Sequence, residues 1–193
     1  MTFASSAFKR IEDPSESIVT VDQLKVFARI DIDAEDTMLQ SFIDATIETG
    51  EIWSRRAFAS QKWQYRLTNW PSNLVVKLPR PPLVSVDLVR LLREDGTVEA
   101  VLCSSSYYIV TDTEPGRLVL REGSSHLVWP ADAGPYLIEI QYTCGYGTAA
   151  DVPEGIKQGI LFWAAAAYES RAPQAAPPDM SASILRRYRV PIL

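Results

Sequence analysis

Histidine is almost missing from this 193-residue chain, which has only His126, and cysteine is limited to Cys103 and Cys144. One imidazole leaves a single residue poised to titrate near neutral pH and excludes the multi-histidine metal sites of many enzymes. The two cysteines lie far apart, with no CxxC pair and no zinc spacing, and two thiols in a chain of this size fit a reducing compartment. The net charge of −5 lacks the concentrated positive face that bulk nucleic-acid binding needs. The opening MTFASSAFKR has no continuous apolar core, so no signal peptide is read and a cytoplasmic protein is expected. The most apolar stretch is broken by Lys157, Gln158 and Glu169, which favours a buried helix over a membrane span.

That stretch, Asp151 to Arg171, organises the rest. Asp151 and Glu154 have capping-box spacing, and Pro153 falls at the first turn, where its missing N–H costs nothing. Ile156, Ile160, Trp163, Ala164, Ala167 and Tyr168 recur at helical spacing, and Leu161, Phe162 and Ala164 to Ala167 make the helix apolar nearly all round. Such a helix is expected to be buried on more than one side.

With 47% apolar and 22% charged residues, the composition is that of a globular protein. Residues 1–17 read as a polar arm without period. Thr20 and Gln23 form a capping box for a helix with Val21, Leu24, Phe27 and Ala28 on one face. Asp33, with Asp36 three residues on, is expected to cap a second helix from about Ala34 to Arg56, whose Arg55 and Arg56 suit the helix dipole. Its Gly50 costs on the order of 1 kcal/mol relative to Ala and is explained by a close helix–helix approach. From Ala59 the period changes to two. Strands are expected at Lys62–Asn69, with Trp63, Tyr65 and Leu67 on one face, then at Leu74–Leu78, Leu83–Arg93, Val98–Leu102, Tyr107–Val110, Arg117–Leu120 and Tyr136–Tyr142.

The fold class is therefore α+β. A helical body, two N-terminal helices plus a central C-terminal helix, carries an inserted small antiparallel β unit and an extended C-terminal tail. The expected division is 1–17 arm, 18–58 first part of the helical body, 59–148 β insertion, 149–171 central helix, and 172–193 linker and tail, in which the Pro-rich Arg171 to Pro178 is a semi-rigid spacer and Asp179 to Tyr188 reads as a last short helix.

Chemistry is scarce. His126, in Ser124-Ser125-His126, could pair with a serine or with Cys103, but no nucleophile elbow or orienting carboxylate accompanies it. Asp31, Asp33, Glu35 and Asp36 resemble the start of a calcium loop, yet Asp36 and Phe42 occupy the positions that need Gly and Glu, so capping is the better reading. Cys144-Gly145-Tyr146-Gly147 lacks the lysine of a phosphate loop and reads as a strand-to-helix connector with unusual φ at its glycines. Trp63 and Tyr65 alternate with Lys62 and Arg66, as a single-strand stacking surface would, but the acidic body argues against it. No catalytic, cofactor or metal residue is assigned, and the chain is not read as an enzyme.

The charge is uneven. Residues 171–193 carry four arginines against Asp179, a net +3, which leaves −8 for the rest. The last ten residues interleave Arg186, Arg187 and Arg189 with Ile184, Leu185, Tyr188, Val190, Ile192 and Leu193 around Pro191. A solvated tail, a DNA or phosphate contact, and a peptide that docks on a protein partner are all open, with Arg and Tyr among the residue types that dominate binding.

The order of parts resembles the head–tail connector, or adaptor, proteins of tailed bacteriophages and phage-like gene transfer particles. The resemblance spans about residues 18–190. It lies in Val21-Asp-Gln-Leu-Lys25, Asp36 to Arg56, Leu78-Pro-Arg-Pro-Pro-Leu-Val-Ser85, Pro115-Gly-Arg-Leu118, Trp129-Pro130, Ile140 to Gly147, Val152-Pro-Glu-Gly-Ile156 and Tyr168-Glu-Ser-Arg171. It implies a homo-oligomeric ring of about twelve copies beneath the portal protein. The ring would extend the channel for double-stranded DNA, without sequence-specific binding and without a membrane. It would also offer a surface to a stopper or other tail-side protein. The particle neck would be the protein's place, after assembly in a host bacterial cytoplasm. By position, the portal-docking residues would be Ile184, Leu185, Arg186, Arg187, Tyr188, Arg189, Val190, Pro191, Ile192 and Leu193. The alternative is a DNA-binding or packaging-accessory module that uses the same basic tail.

Overall fold

The computed structural model describes residues 7–93, 95–121, 136–172 and 175–191. It divides into two compact units, Met1–Asp13 with Gln61–Gly145, and Pro14–Ser60 with Tyr146–Leu193.

The first unit is built of antiparallel strands. A five-stranded sheet runs in the order β1 (Ala7–Glu12), β2 (Gln61–Leu67), β8 (Tyr136–Cys144), β4 (Leu83–Arg93) and β5 (Val98–Val101). A three-stranded sheet runs β3 (Val75–Lys77), β7 (Arg117–Leu120), β6 (Tyr107–Val110). Alternation sorts the faces of the larger sheet. Leu67, Ile138 and Leu91 form one cross-strand row, and Tyr65, Ile140 and Val89 the next. The opposite face carries Arg66, Glu139 and Arg90 in one row. Glu139 is fully buried there. Each of its oxygens takes one guanidinium, Arg66 at 2.7 and 2.8 Å and Arg90 at 2.6 and 2.7 Å, and Gln141 adds a bond at 3.0 Å. Burial pushes the carboxyl up, but the hydrogen bonds from Arg66, Arg90 and Gln141 outweigh it and hold it below its ordinary value.

The strand expectations hold with ends shifted by a residue or two, but three details differ. The strands form two sheets rather than one. Within Leu83–Arg93 the alternation is broken and Val84 is exposed, because the β4 register slips between Leu83 and Ser85 and again between Val86 and Leu88. Residues 7–12 are an edge strand of the sheet, not an arm. The cause is Phe8, whose ring stacks on Trp63 at 4.1 Å and 5°.

The second unit packs α1 (Val21–Ala28), α2 (Asp36–Ser54), α3 (Glu154–Ser170) and α4 (Asp179–Leu185), the last followed by a 3-10 turn, Arg186–Tyr188. Its core joins Leu24, Leu39, Ile43, Phe58, Ile156, Ile160, Trp163, Ala164 and Leu185. Each such side chain contributes about 1.5–3 kcal/mol when fully buried. Gly50 marks the close approach of α2 and α3: a Cβ there would lie 2.8 Å from Ile160 Cδ1.

The capping box at Thr20 and Gln23 is present. The other two caps are not. Asp151 accepts from the N–H and hydroxyl of Thr148, which hold its carboxyl below the usual range, and α3 opens from Pro153 without a side-chain cap. Asp33 and Asp36 turn to Lys25, at 2.5 and 2.7 Å from its Nζ, and the residue before α2 is Glu35. A nearby cation outbids the helix N–H groups for both carboxylates.

Candidate functional site

The C-terminal segment is the part of the chain from which docking is expected, and its geometry begins on α3. Gly155 and Gly159 leave that helix bare at i and i+4. A Cβ at 155 would lie 2.5 Å from Tyr188 Oη, and one at 159 would lie 2.8 Å from Leu185 Cγ. Pro178 precedes α4 with extended backbone, and Ala182 N donates back to its carbonyl at 2.7 Å. The inward face of α4 presents Ser181 and Leu185, both fully buried. Ser181 Oγ donates to Gly159 O at 2.7 Å.

Beyond α4 the chain reaches the C-terminal end of α2. Val190 N donates to Ser54 O at 2.9 Å and so satisfies a carbonyl in that helix's last turn. Arg56, itself buried, donates from Nε to Tyr188 O and from Nη1 to Tyr146 Oη, each at 2.9 Å. Arg55 Nη1 reaches Val190 O at 3.4 Å, and the Arg189 guanidinium lies 4.9 Å from the centre of the Trp53 ring.

The ten residues expected to dock therefore divide. Leu185 and Val190 are buried against the chain's own helical unit, and Ile184 and Tyr188 are half-buried. Arg186, Arg187, Arg189 and Pro191 are exposed, and Ile192 and Leu193 lie outside the described residues. The short helix expected at Asp179 to Tyr188 is present, as α4 and the 3-10 turn after it, but the tail is folded back rather than extended, with Leu185 in the glycine seat on α3. Sequence reading gave Arg55 and Arg56 a dipole role and missed their grip on the tail. The Gly155–Gly159 spacing was the available signal.

A second concave feature lies between α1 and α3. This groove of about 440 Å³ has Val26, Phe27 and Leu161 among its apolar lining residues and Asp22, Glu154 and Lys157 among its charged ones. Val26 is 81% exposed. Lys157 Nζ lies 2.8 Å from Glu154 Oε1.

The remaining chemical candidates resolve as follows. His126 lies outside the described residues, and so does Trp129-Pro130. Cys103 is exposed, and hydrogen bonds from Ser105 and then Ser104 hold its thiol below the ordinary value, while Cys144 is buried. No group of three metal-capable side chains occurs among the described residues. Trp63 is not an open stacking platform, because Phe8 covers one face and Arg10 and Arg80 lie 5.8 and 5.4 Å from its ring centre. Gly145 and Gly147 do adopt positive φ, 115° and 119°, in the connector.

No protein-family model matches the sequence, and no curated protein matches it. Solved structures do. A chain from the neck of an empty gene transfer agent particle, computed with C6 symmetry, is 23% identical with a TM-score of 0.80, covering 97% of each chain. A chain from the virion of a native gene transfer agent particle is 23% identical, TM-score 0.79, over 96% of this chain and 97% of that one. A chain from the neck of a native particle, computed with C12 symmetry, is 24% identical, TM-score 0.70, over 95% and 97%. Over nearly its whole length, this chain thus shares its fold with proteins of gene transfer agent particles.

Proposed function

We propose that this chain is a structural component of the neck of a phage-like particle, of the head–tail connector type. It forms a homo-oligomeric ring under the portal, extends the DNA channel and offers the attachment surface for the next tail-side protein. The observation that carries the reading is the fold likeness over 97% of both chains to a protein found in such a neck. Relatives in necks computed with C6 and C12 symmetry fit a ring of repeated copies. A net charge of −5 suits a channel through which DNA must slide, since dense basic contacts would grip phosphates. The role requires no catalysis.

The folded-back segment reshapes the portal contact. Arg186, Arg189 and Pro191 are exposed and are the residues offered to a portal. Leu185 and Val190 hold the segment in place.

The test is particle production by cells with and without this chain. Full-length protein is expected in purified particles, at the head–tail junction in labelled micrographs, and its loss is expected to leave DNA-filled heads without tails. Normal tailed particles without the chain would sink the reading.

The exposed arginines favour one second reading, a DNA-binding accessory module. It predicts DNA affinity that falls steeply with salt and weakens with each arginine removed. Affinity below detection at low salt rejects it.

A further inference from the structure

The ring reading leaves the joint between copies unassigned, and two surfaces of the helical unit bear on it. The first is the α1–α3 groove, whose lining includes the apolar Val26, Phe27 and Leu161 and the charged Asp22, Glu154 and Lys157. Lys157 offsets Glu154, so Asp22 leaves the lining one negative charge in excess. The second is the outward face of α4. With Ser181 and Leu185 turned inward, Met180 is left 59% exposed, Ile184 half-buried and Arg187 exposed. Met180 and Ile184 stand at i and i+4 on α4, two apolar anchors on one side of the helix, and Arg187 adds a cation in the 3-10 turn that follows.

The two surfaces flank α3 on different sides. Glu154, Lys157 and Leu161 share one face of that helix, while Gly155 and Gly159, under α4, lie roughly 100° or more around it. While α4 is seated, its outer face therefore points away from its own chain's groove. Two unlike, complementary patches on one molecule are what a head-to-tail contact requires, and such contacts close into rings when the rotation allows.

We propose that the outer face of α4 in one copy docks in the α1–α3 groove of the next. Met180 and Ile184 lie against Val26, Phe27 and Leu161, and Arg187 lies against Asp22. The inference rests on the ring reading and names its joint. It also gives the exposed Val26 and Met180 a common purpose, since each is a large apolar side chain left in water by the isolated chain.

The test is disulfide trapping with Gln23→Cys, on the groove wall, and Met180→Cys together in a Cys103→Ser background, Cys144 being buried. Mild oxidation of particles carrying this chain is expected to give a ladder of covalent multimers from the double variant and none from either single variant. A chain present in the neck that gives no ladder overturns the joint and leaves the ring standing. A chain absent from the neck overturns both. Multimers from a single variant denote a symmetric contact and also overturn the joint. In parallel, Arg187→Glu is expected to lower incorporation roughly tenfold, and adding Asp22→Arg to restore it. Unchanged incorporation by Arg187→Glu counts against the proposal.

Discussion

Gly159 and Leu185 meet so closely that a single added carbon would collide: a Cβ on the glycine would lie 2.8 Å from both Cγ and Cδ2 of the leucine. The seat of α4 exists only while position 159 has no side chain. Gly159→Val is expected to cost about 1–3 kcal/mol in the docking of residues 179–190, the usual penalty of overpacking. Amide exchange checks it. Residues 182–190 should exchange faster while the centre of α3 stays protected, and unchanged exchange would mean that Leu185 yields freely.

Arg56 ties segments far apart in sequence, with directional bonds to Tyr188 O and Tyr146 Oη among its contacts. Its removal leaves a carbonyl and a hydroxyl without their donor in a half-buried setting. Arg56→Ala is expected to destabilise the chain by about 1–3 kcal/mol in urea unfolding. Arg56→Lys should recover little, because an ammonium lacks the fork that spans both acceptors.

The Glu139 clamp predicts a pH dependence with a definite sign. The folded carboxyl titrates below its unfolded value. Its stabilisation is therefore fully present above the ordinary carboxylate range and fades as pH falls through the folded value. Glu139→Gln should remove that part of the acid sensitivity and cost about 2–3 kcal/mol near neutrality, since it leaves Arg66 and Arg90 without their shared anion. Both arginines retain some solvent contact, which places the cost toward the lower end. Parallel unfolding curves for the two proteins from pH 7 to pH 3 would contradict this.

Phe8 secures the edge strand through its stack on Trp63. Phe8→Ala is expected to cost about 1–2 kcal/mol, part burial and part ring contact. The near-ultraviolet dichroism of tryptophan should change with it. A variant that keeps both stability and spectrum would show that β1 is held by its backbone bonds alone.

Periodicity made the helices and strands readable, since Leu39, Ile43 and Gly50 keep helical spacing and Trp63 to Leu67 alternate. What it could not show was competition between partners. Asp33 and Asp151 have the chemistry of caps, but Lys25 and Thr148 lie closer to hand in the fold. The charged run Lys9-Arg10-Ile11-Glu12 hides a strand whose single aromatic, Phe8, finds its partner more than fifty residues away. The tail's mixture of apolar and basic residues left a solvated tail, a DNA contact and a docking peptide all open. It could not show that Leu185 binds the chain's own α3, because the signal lies in two glycines that read as neutral.

Ser60 N donates to Gly147 O, and Tyr146 N donates to Phe58 O, so the points where the chain leaves and re-enters the helical unit are joined by backbone hydrogen bonds. Residues 61–145 are thus anchored like a graft whose two cut ends already touch. A short turn could replace them at the modest entropic cost of closing a small loop. Evolution can therefore lengthen, shorten or exchange that insertion while the helices keep their packing. The exception is the first strand, which begins before the graft and pairs with it. An exchanged insertion must either offer β1 a new edge or release it.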